Sequence, residues 1–599
     1  MAEYSAPLKD MGFVLNNIAD LPSLAKLDGY EHAEADVVEA VLEEAGKFAA
    51  NVLSPLNKPG DVQGSHVKDG VVTTPDGWKE AYAGFVEGGW NGISAPEKYD
   101  GGGLPSAVAL ATVEMWNAAN LGFSLCPLLT QGAIESIMAH GTEEQQDKYM
   151  KKLVSGEWTA TMNLTESQAG SDVGALRTKA EPAEDGTWRI SGQKIFITYG
   201  EHEMSENIIH LVLARTPGAP AGTRGISLFI VPKYLVNDDG TLGARNDLKC
   251  VSLEEKIGIH ASPTAVMSYG DNGDCVGYLL GAENKGMACM FTMMNSARLN
   301  VGVQGLAVAE RAYQQAVEYA KDRRQGQAPG MPKGEMTPII NHADVRRMLM
   351  TMRANIEAMR CLIYLNGAAL DEAHHGADEA AREKAMGLAE LLTPMSKGWC
   401  TDLGVELAST AVQVHGGMGF IEETGVGQYY RDARILPIYE GTNGIQALDL
   451  VGRKLSLQGG APVKALFGEM DATVKALAAT GDEMAAMSLQ LNLAVSALKE
   501  ATDWLYSNAP NDPHAAPAGA TPYLRMFATT VGGYLLAKSA LKAREMRTAG
   551  DADTAFLDAK IVTARFFMAQ ILPMATALLG PVTEGAETLF AIDDAQLSA

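Results

Sequence analysis

The 599-residue chain is poor in cysteine. Its six cysteines, Cys126, Cys250, Cys275, Cys289, Cys361 and Cys400, are scattered with no CxxC or CxxH spacing. Neither a disulfide framework nor a metal centre is expected. Basic charge is scarce too: 48 Lys and Arg stand against 73 Asp and Glu, a formal charge of −25. That balance argues against nucleic acid as the main partner, because phosphate binding needs a basic surface. It leaves room for a phosphate-bearing cofactor in a local basic pocket. No uninterrupted apolar stretch reaches transmembrane length. The opening residues, MAEYSAPLKDMGFVL, lack a basic segment followed by a long apolar run, so no secretory signal is expected. Together these absences predict a soluble, cytoplasmic protein.

Hydrophobic residues at 47% and charged residues at 20% make an ordinary globular balance, and the length allows three or four domains. Residues 1–160 carry helical periodicity, as in Val38, Val41, Leu42, Ala45 and Phe48. Thr142 with Gln145 three residues on is a helix-start signal. Residues 161–285 turn to short β-rich runs punctuated by Gly and Pro, which predicts an inserted β domain. Residues 286–455 are helical again. There Met290, Met293, Met294, Ala297 and Val301 mark one buried face, or the wall of an adaptable apolar pocket. Ser456–Val463 reads as a linker, and 456–599 as an additional helical domain with no catalytic motif. Asn508–Pro522 reads as a loop between its helices.

Five stretches carry possible chemistry. Pro437-Ile-Tyr439-Glu440-Gly441-Thr442-Asn443 reads as a loop ending at a helix, capped by Thr442 or Asn443. A carboxylate on such a bend can act as a general base, or be an exposed acid at a helix start. Asn163 to Ala175, dense in Gly, Ser and Thr, offers donors to an anionic ligand, or is a capped turn. In Gln193–Thr198, Phe196 and Thr198 share a strand face, suited to a flat ring and one hydrogen bond. Gln413–Phe420 pairs Gly416 with Gly417, which allows a close backbone approach or an ordinary helix end. His415 reads as structural there. Arg323 and Arg324 close a helix, where a guanidinium suits pyrophosphate or simply faces water.

In order and spacing, TESQAGSD, GQKIFIT, KDRRQG, QVHGGMGF and IYEGT together resemble the acyl-CoA dehydrogenase family, from about residue 30 to 455. Supporting stretches are KIGIHASPT and LGAENKGM. The resemblance implies a helical N-terminal domain, a central β-barrel and a helical bundle, with the extra helical region after 455 found in a long bacterial branch. It implies FAD, contacted by Thr165, Ser171, Phe196, Thr198, Arg323, Gln413, Gly416, Gly417 and Thr442. It implies an acyl-CoA held by Ser171, Asn295, Arg298, Tyr439 and Gly441, and Glu440 as the catalytic base. Some relatives carry the base on another helix, but the matching position here is Ala297. The implied reaction is α,β-dehydrogenation, with electrons passed to electron-transfer flavoprotein by a homodimer or homotetramer. The implied substrate is a short- or medium-chain acyl-CoA, or 3-methylmercaptopropionyl-CoA from dimethylsulfoniopropionate breakdown. A general fatty acyl-CoA dehydrogenase and an oxygen-using oxidase share these motifs, and a binding scaffold without turnover is a third reading. No metal is implied.

Overall fold

The computed structural model describes residues 3–481, 484–550 and 553–598. Its contacts divide the chain into two compact units. One comprises Met1–Gly46, Pro105–Ala118 and Val301–Ala599; the other comprises Lys47–Leu104 and Ala119–Asn300. In chain order the first helices of interest are α1 (Leu8–Asn17), α2 (Ser106–Ala119), α3 (Leu121–His140) and α4 (Glu143–Ser155). The strands of the main sheet follow: β1 (Trp158–Asn163), β2 (Lys179–Pro182), β3 (Trp188–Thr198), β4 (Asn207–Ala214), β5 (Ser227–Pro232), β6 (Leu248–Leu253), β7 (Thr264–Tyr269) and β8 (Val276–Leu280). Then come α5 (Gly286–Asp322), α6 (Ala343–His375), α7 (Glu379–His415), α8 (Asn443–Asp449), α9 (Ala461–Ala479), α10 (Ala485–Asn508), α11 (Ala515–Ala549) and α12 (Thr554–Gln570).

The second unit holds the expected β domain as one sheet of eight strands, ordered β6-β7-β3-β8-β5-β4-β1, with β2 pairing β3. All pairs are antiparallel except β1 with β4. Every residue of β1, β4 and β5 is buried, as strands covered on both faces must be. Alternation then splits their side chains between two cores. Ile209, Leu211, Leu213, Leu228 and Ile230 join one cluster with Ile134, Tyr149 and Leu153 of α3 and α4. Val212, Ala214, Phe229 and Val231 join another with Ile197, Ala265 and Met267. Met290 and Met293 belong to the first cluster at 0% exposure, so the methionine stripe is core there. Thr142 caps α4 in a complete capping box with Gln145.

In the first unit long helices pack on one another. Gly302 and Gly305 of α5 let it cross α7 closely: a Cβ at these positions would stand 2.5 Å from the Ser396 carbonyl and 2.3 Å from that of Cys400. α11 packs against α6, α7, α8 and α12. Two local expectations are corrected, in α7 and in α11. α7 runs unbroken through Pro394, where the sequence predicts separate helices over Ala377–Leu392 and Leu403–Val414; its flanks, Leu391, Leu392 and Met395, are fully buried, and tertiary packing overrides the proline. At Ser456–Val463 the chain turns through Gln458, Gly459 and Gly460, all at positive φ, before α9, with Pro462 in that helix's first turn where its missing N–H costs nothing. Ala515–Pro522, expected in a loop, belongs to α11.

Thr554–Thr583 is long and apolar enough, by length and composition alone, to cross a membrane, but it is not an uninterrupted apolar run. Its Lys560 interrupts the run and is fully buried. It binds Asp10 of α1 at 2.6 Å and Glu357 of α6 at 2.7 Å.

Candidate active site

In the second unit, the register of β7 against β3 shifts: Ala265 faces Ile197, but Met267 faces Lys194. One extra residue on β3 makes a β-bulge at Ile195–Phe196. Phe196 takes a φ of 60°, and its ring is 58% exposed although the residue lies within a strand. A left-handed conformation is costly for an aromatic residue and persists only where surroundings impose it. The bulged Ile195 N–H donates to the Thr165 carbonyl at 2.9 Å, pinning the Asn163–Ala175 loop to the ring's base. Thr165 and Thr198 are half-buried, and Ser171 lies exposed farther along the loop. The Thr161 hydroxyl donates to the Thr198 carbonyl at 2.7 Å.

Glu166 ties the same loop down. Its carboxylate accepts from Lys194 Nζ (2.9 Å), the Thr178 N–H (3.0 Å) and hydroxyl (2.6 Å), and the Arg177 N–H (2.7 Å). Burial alone would raise its pKa; Lys194 and these donors overcome that and hold it at about 2. Lys194 is itself 0% exposed. The ordinary value is 4.5, so the folded state binds the proton less readily than the unfolded chain. The stabilisation from Glu166 is therefore complete above pH 4.5 and lost as pH falls toward 2. We expect Glu166→Gln to lower the melting temperature at pH 7, and the gap to wild type to narrow as pH falls from 4.5 toward 2. Melting curves across that range check it; a gap independent of pH contradicts the assignment.

On α5, Asn295 is exposed and Arg298 buried, with Arg298 Nη1 donating to Asn295 Oδ1 at 3.4 Å. Arg298 also lies over the Phe291 ring, 5.8 Å from its centroid. Ala297 is packed in the core.

In the first unit, Glu440 is half-buried with φ 56°, a second non-glycine residue in the left-handed region. Gly441 follows at φ 80°. The Thr442 hydroxyl accepts from the Ile445 N–H at 3.3 Å and caps α8. Two side chains of α8 fix the bend from behind. Gln446, fully buried, donates to the carbonyls of Glu440 (3.4 Å) and Gly441 (3.2 Å). Asn443 donates to the Gly398 carbonyl (3.0 Å) and Asp402 Oδ1 (2.7 Å), and accepts from Lys397 Nζ (2.8 Å). The Tyr439 hydroxyl donates to Gln304 of α5. Burial, then the Glu440 charge, raises the Tyr439 pKa well above its ordinary value, so it stays a neutral donor. Neither Gln446 nor Lys397 was singled out from sequence; the polar residue three positions after Asn443, on the same helix face, was the available signal.

The remaining candidates of this unit lie apart from one another in sequence. Arg323 is exposed just beyond α5. Gln413 is exposed at the end of α7. Gly416 has φ 59°, which glycine tolerates, but Gly417 has neither a positive φ nor any atom within 4 Å of an added Cβ. Among the described residues, none comes close enough to require glycine at 417, so its backbone is open. His415 is buried, stacked on Tyr319 at 4.3 Å, with Nδ1 2.8 Å from the Ala411 carbonyl. No group of three or more metal-binding side chains occurs among the described residues.

Family models match along the chain: the acyl-CoA dehydrogenase N-terminal domain over 36–157, the middle domain over 161–271 and the C-terminal domain over 284–455. An acetyl-CoA dehydrogenase C-terminal-like model matches 466–593. The chain belongs to the acyl-CoA dehydrogenase family. A 3-methylmercaptopropionyl-CoA dehydrogenase of Ruegeria pomeroyi is 48% identical over 98% of this chain and 99% of that protein. A butyryl-CoA dehydrogenase of Syntrophomonas wolfei is 36% identical over 95% of each. An acyl-CoA dehydrogenase of Bacillus anthracis, solved with FAD, superposes with a TM-score of 0.72 at 22% identity, covering 93% of this chain and 89% of that one. This acyl-CoA dehydrogenase is thus an oxidoreductase of a family that binds FAD. Its residues fit that cofactor: an exposed aromatic ring held on a bulge beside Thr165 and Thr198, and an open glycine backbone at 416–417.

Proposed function

We propose that this acyl-CoA dehydrogenase oxidises a short acyl-CoA thioester to its 2-enoyl-CoA, with Glu440 taking the α-proton. The reading is carried by Glu440 itself, a carboxylate on a strained bend that the buried Gln446 and the half-buried Asn443 hold from behind. The α C–H bond breaks, its proton goes to the Glu440 carboxylate, and the electron pair becomes the new C=C bond. FAD, when bound, accepts the β-hydrogen as hydride. The residues of the chain bind and orient. Phe196, Thr165, Thr198 and Ser171 would hold the ring system of FAD. Arg323, Gln413, Gly416, Gly417 and Thr442 hold the rest of the cofactor. Asn295, Arg298, Tyr439, Gly441 and Ser171 bind the thioester. A half-buried carboxylate with the neutral Tyr439 beside it meets the thioester as a base rather than as a solvated surface charge.

The 48% identical relative supports 3-methylmercaptopropionyl-CoA as substrate, and the butyryl-CoA dehydrogenase supports a short chain. Electron-transfer flavoprotein is the proposed acceptor, in the cytoplasm. A homodimer or homotetramer would cover the exposed Met418, Phe420 and Ile421 beyond Gly417. The test is anaerobic bleaching of the bound flavin with 3-methylmercaptopropionyl-, butanoyl-, octanoyl- and palmitoyl-CoA. The first two should bleach fastest and palmitoyl-CoA slowest, and hydrogen peroxide should not accumulate under air. Failure of every thioester to bleach would leave a binding role.

A further inference from the structure

The helical region after residue 455 contributes no group to the proposed reaction, yet two consecutive residues of α11 back both anchors of the Glu440 bend. α11 packs against α7 and α8. Where they meet, α7 carries Gly398; a Cβ there would lie 3.0 Å from Leu524 Cδ1 and 3.7 Å from Gln446 Cβ. Leu524 is 4% exposed and Gln446 is 0% exposed. Leu524 thus fills the space beside the side chain that holds the Glu440 and Gly441 carbonyls. The next residue, Arg525, grips Glu406 with both terminal nitrogens, at 2.7 and 2.9 Å. Glu406 lies one turn along α7 from Asp402, and the Arg525 charge acts on both carboxylates. Asp402 in turn accepts the Asn443 amide at 2.7 Å.

A residue in the left-handed region stays there only when its surroundings over-determine it. Functional groups likewise need a supporting shell locked by packing and hydrogen bonds. Gln446 and Asn443 are that shell for Glu440; Leu524 and Gln446 both border Gly398, and the Arg525 charge acts on Asp402, which binds Asn443. We infer that Leu524 and Arg525 are positioning residues for Glu440, acting through Gln446 and through Asp402 and Asn443. The additional domain is then part of the machinery that aims the base. This rests on the reading of Glu440 as the base.

The experiment uses the full-length holoenzyme as wild type, Arg525→Met, Arg525→Lys, Leu524→Ala and Glu440→Gln. The readouts are anaerobic flavin bleaching per bound FAD, acyl-CoA affinity, melting temperature and the isotope effect of α-deuterated thioester. Misaimed by a fraction of an ångström, the base should bleach flavin roughly ten- to a hundredfold more slowly in Arg525→Met and Leu524→Ala. Affinity should hold, the α-deuterium isotope effect should rise, and Arg525→Lys should recover most of the rate. A purely structural role would lower the melting temperature with rate per bound FAD and isotope effect at wild-type values, which overturns the inference. If Leu524→Ala does not fold, the two Arg525 variants decide. A Glu440→Gln holoenzyme bleaching at the wild-type rate overturns the base reading itself. An inert Glu440→Gln beside an unchanged isotope effect in Arg525→Met overturns the positioning role alone.

Discussion

Glu440→Gln should slow anaerobic flavin bleaching by the best acyl-CoA by roughly 10²- to 10⁴-fold, the usual contribution of a positioned general base. That corresponds to about 3–5 kcal/mol of barrier. The substitution keeps the side chain's shape and the backbone at φ 56°, with Gln446 and Asn443 still holding the bend. Flavin content and acyl-CoA affinity should therefore remain near wild type, and the loss should fall on the chemical step. Glu440→Asp should retain more activity than Glu440→Gln, since it shortens the reach of the carboxylate without removing it. An effect on affinity with the bleaching rate intact would assign Glu440 to binding instead.

Arg360→Met should be the most damaging single change to stability. Arg360 is 1% exposed in α6 and binds Asp10 of α1 (2.5 Å), Glu114 of α2 (2.5 Å) and Glu310 of α5 (2.9 Å). Tyr364 donates to the same Glu114 at 2.7 Å. Lys560 of α12 shares Asp10 and binds Glu357, which also holds Arg353 at 2.8 Å. Removing one partner from such a network strands buried charge and costs about 3–5 kcal/mol. The loss should also depend on pH. Burial already raises the Glu114 pKa against the pull of Arg360. Without the guanidinium, the folded variant binds a proton that the unfolded chain binds less readily. Its stability then falls as pH rises. The variant should unfold at lower denaturant than wild type at pH 8, with a smaller deficit at pH 5. Equal deficits at the two pH values would contradict a charge-based role.

Much of this was legible because the motif loops are local. The TESQAGSD loop follows a strand, IYEGT precedes a helix, and Thr442 caps it, each decided by residues a few positions apart. What could not be read were features set by distant partners. The bulge that turns out Phe196 depends on how β7 pairs with β3, and no property of GQKIFIT alone specifies that register. The Arg360 network joins residues up to 350 positions apart, and Lys560 reaches 550 positions back to Asp10. The gap expected between 392 and 403, and the loop expected up to Pro522, are helical because burial of the flanking helix outweighs Pro394 and Pro522. Lys397 is buried in α7 and donates to Asn443, 46 positions away, a pairing that no local pattern specifies.

The most direct measurement of proton removal is exchange of the thioester α-hydrogens with deuterium oxide. A 3-thiaacyl-CoA has α-hydrogens but no β-hydrogen to lose, so exchange is read apart from redox turnover. Mass spectrometry of the recovered thioester should show rapid deuterium uptake with wild-type holoenzyme and almost none with Glu440→Gln. Uptake at the wild-type rate by Glu440→Gln, with its FAD in place, would contradict the assignment of Glu440 as the base.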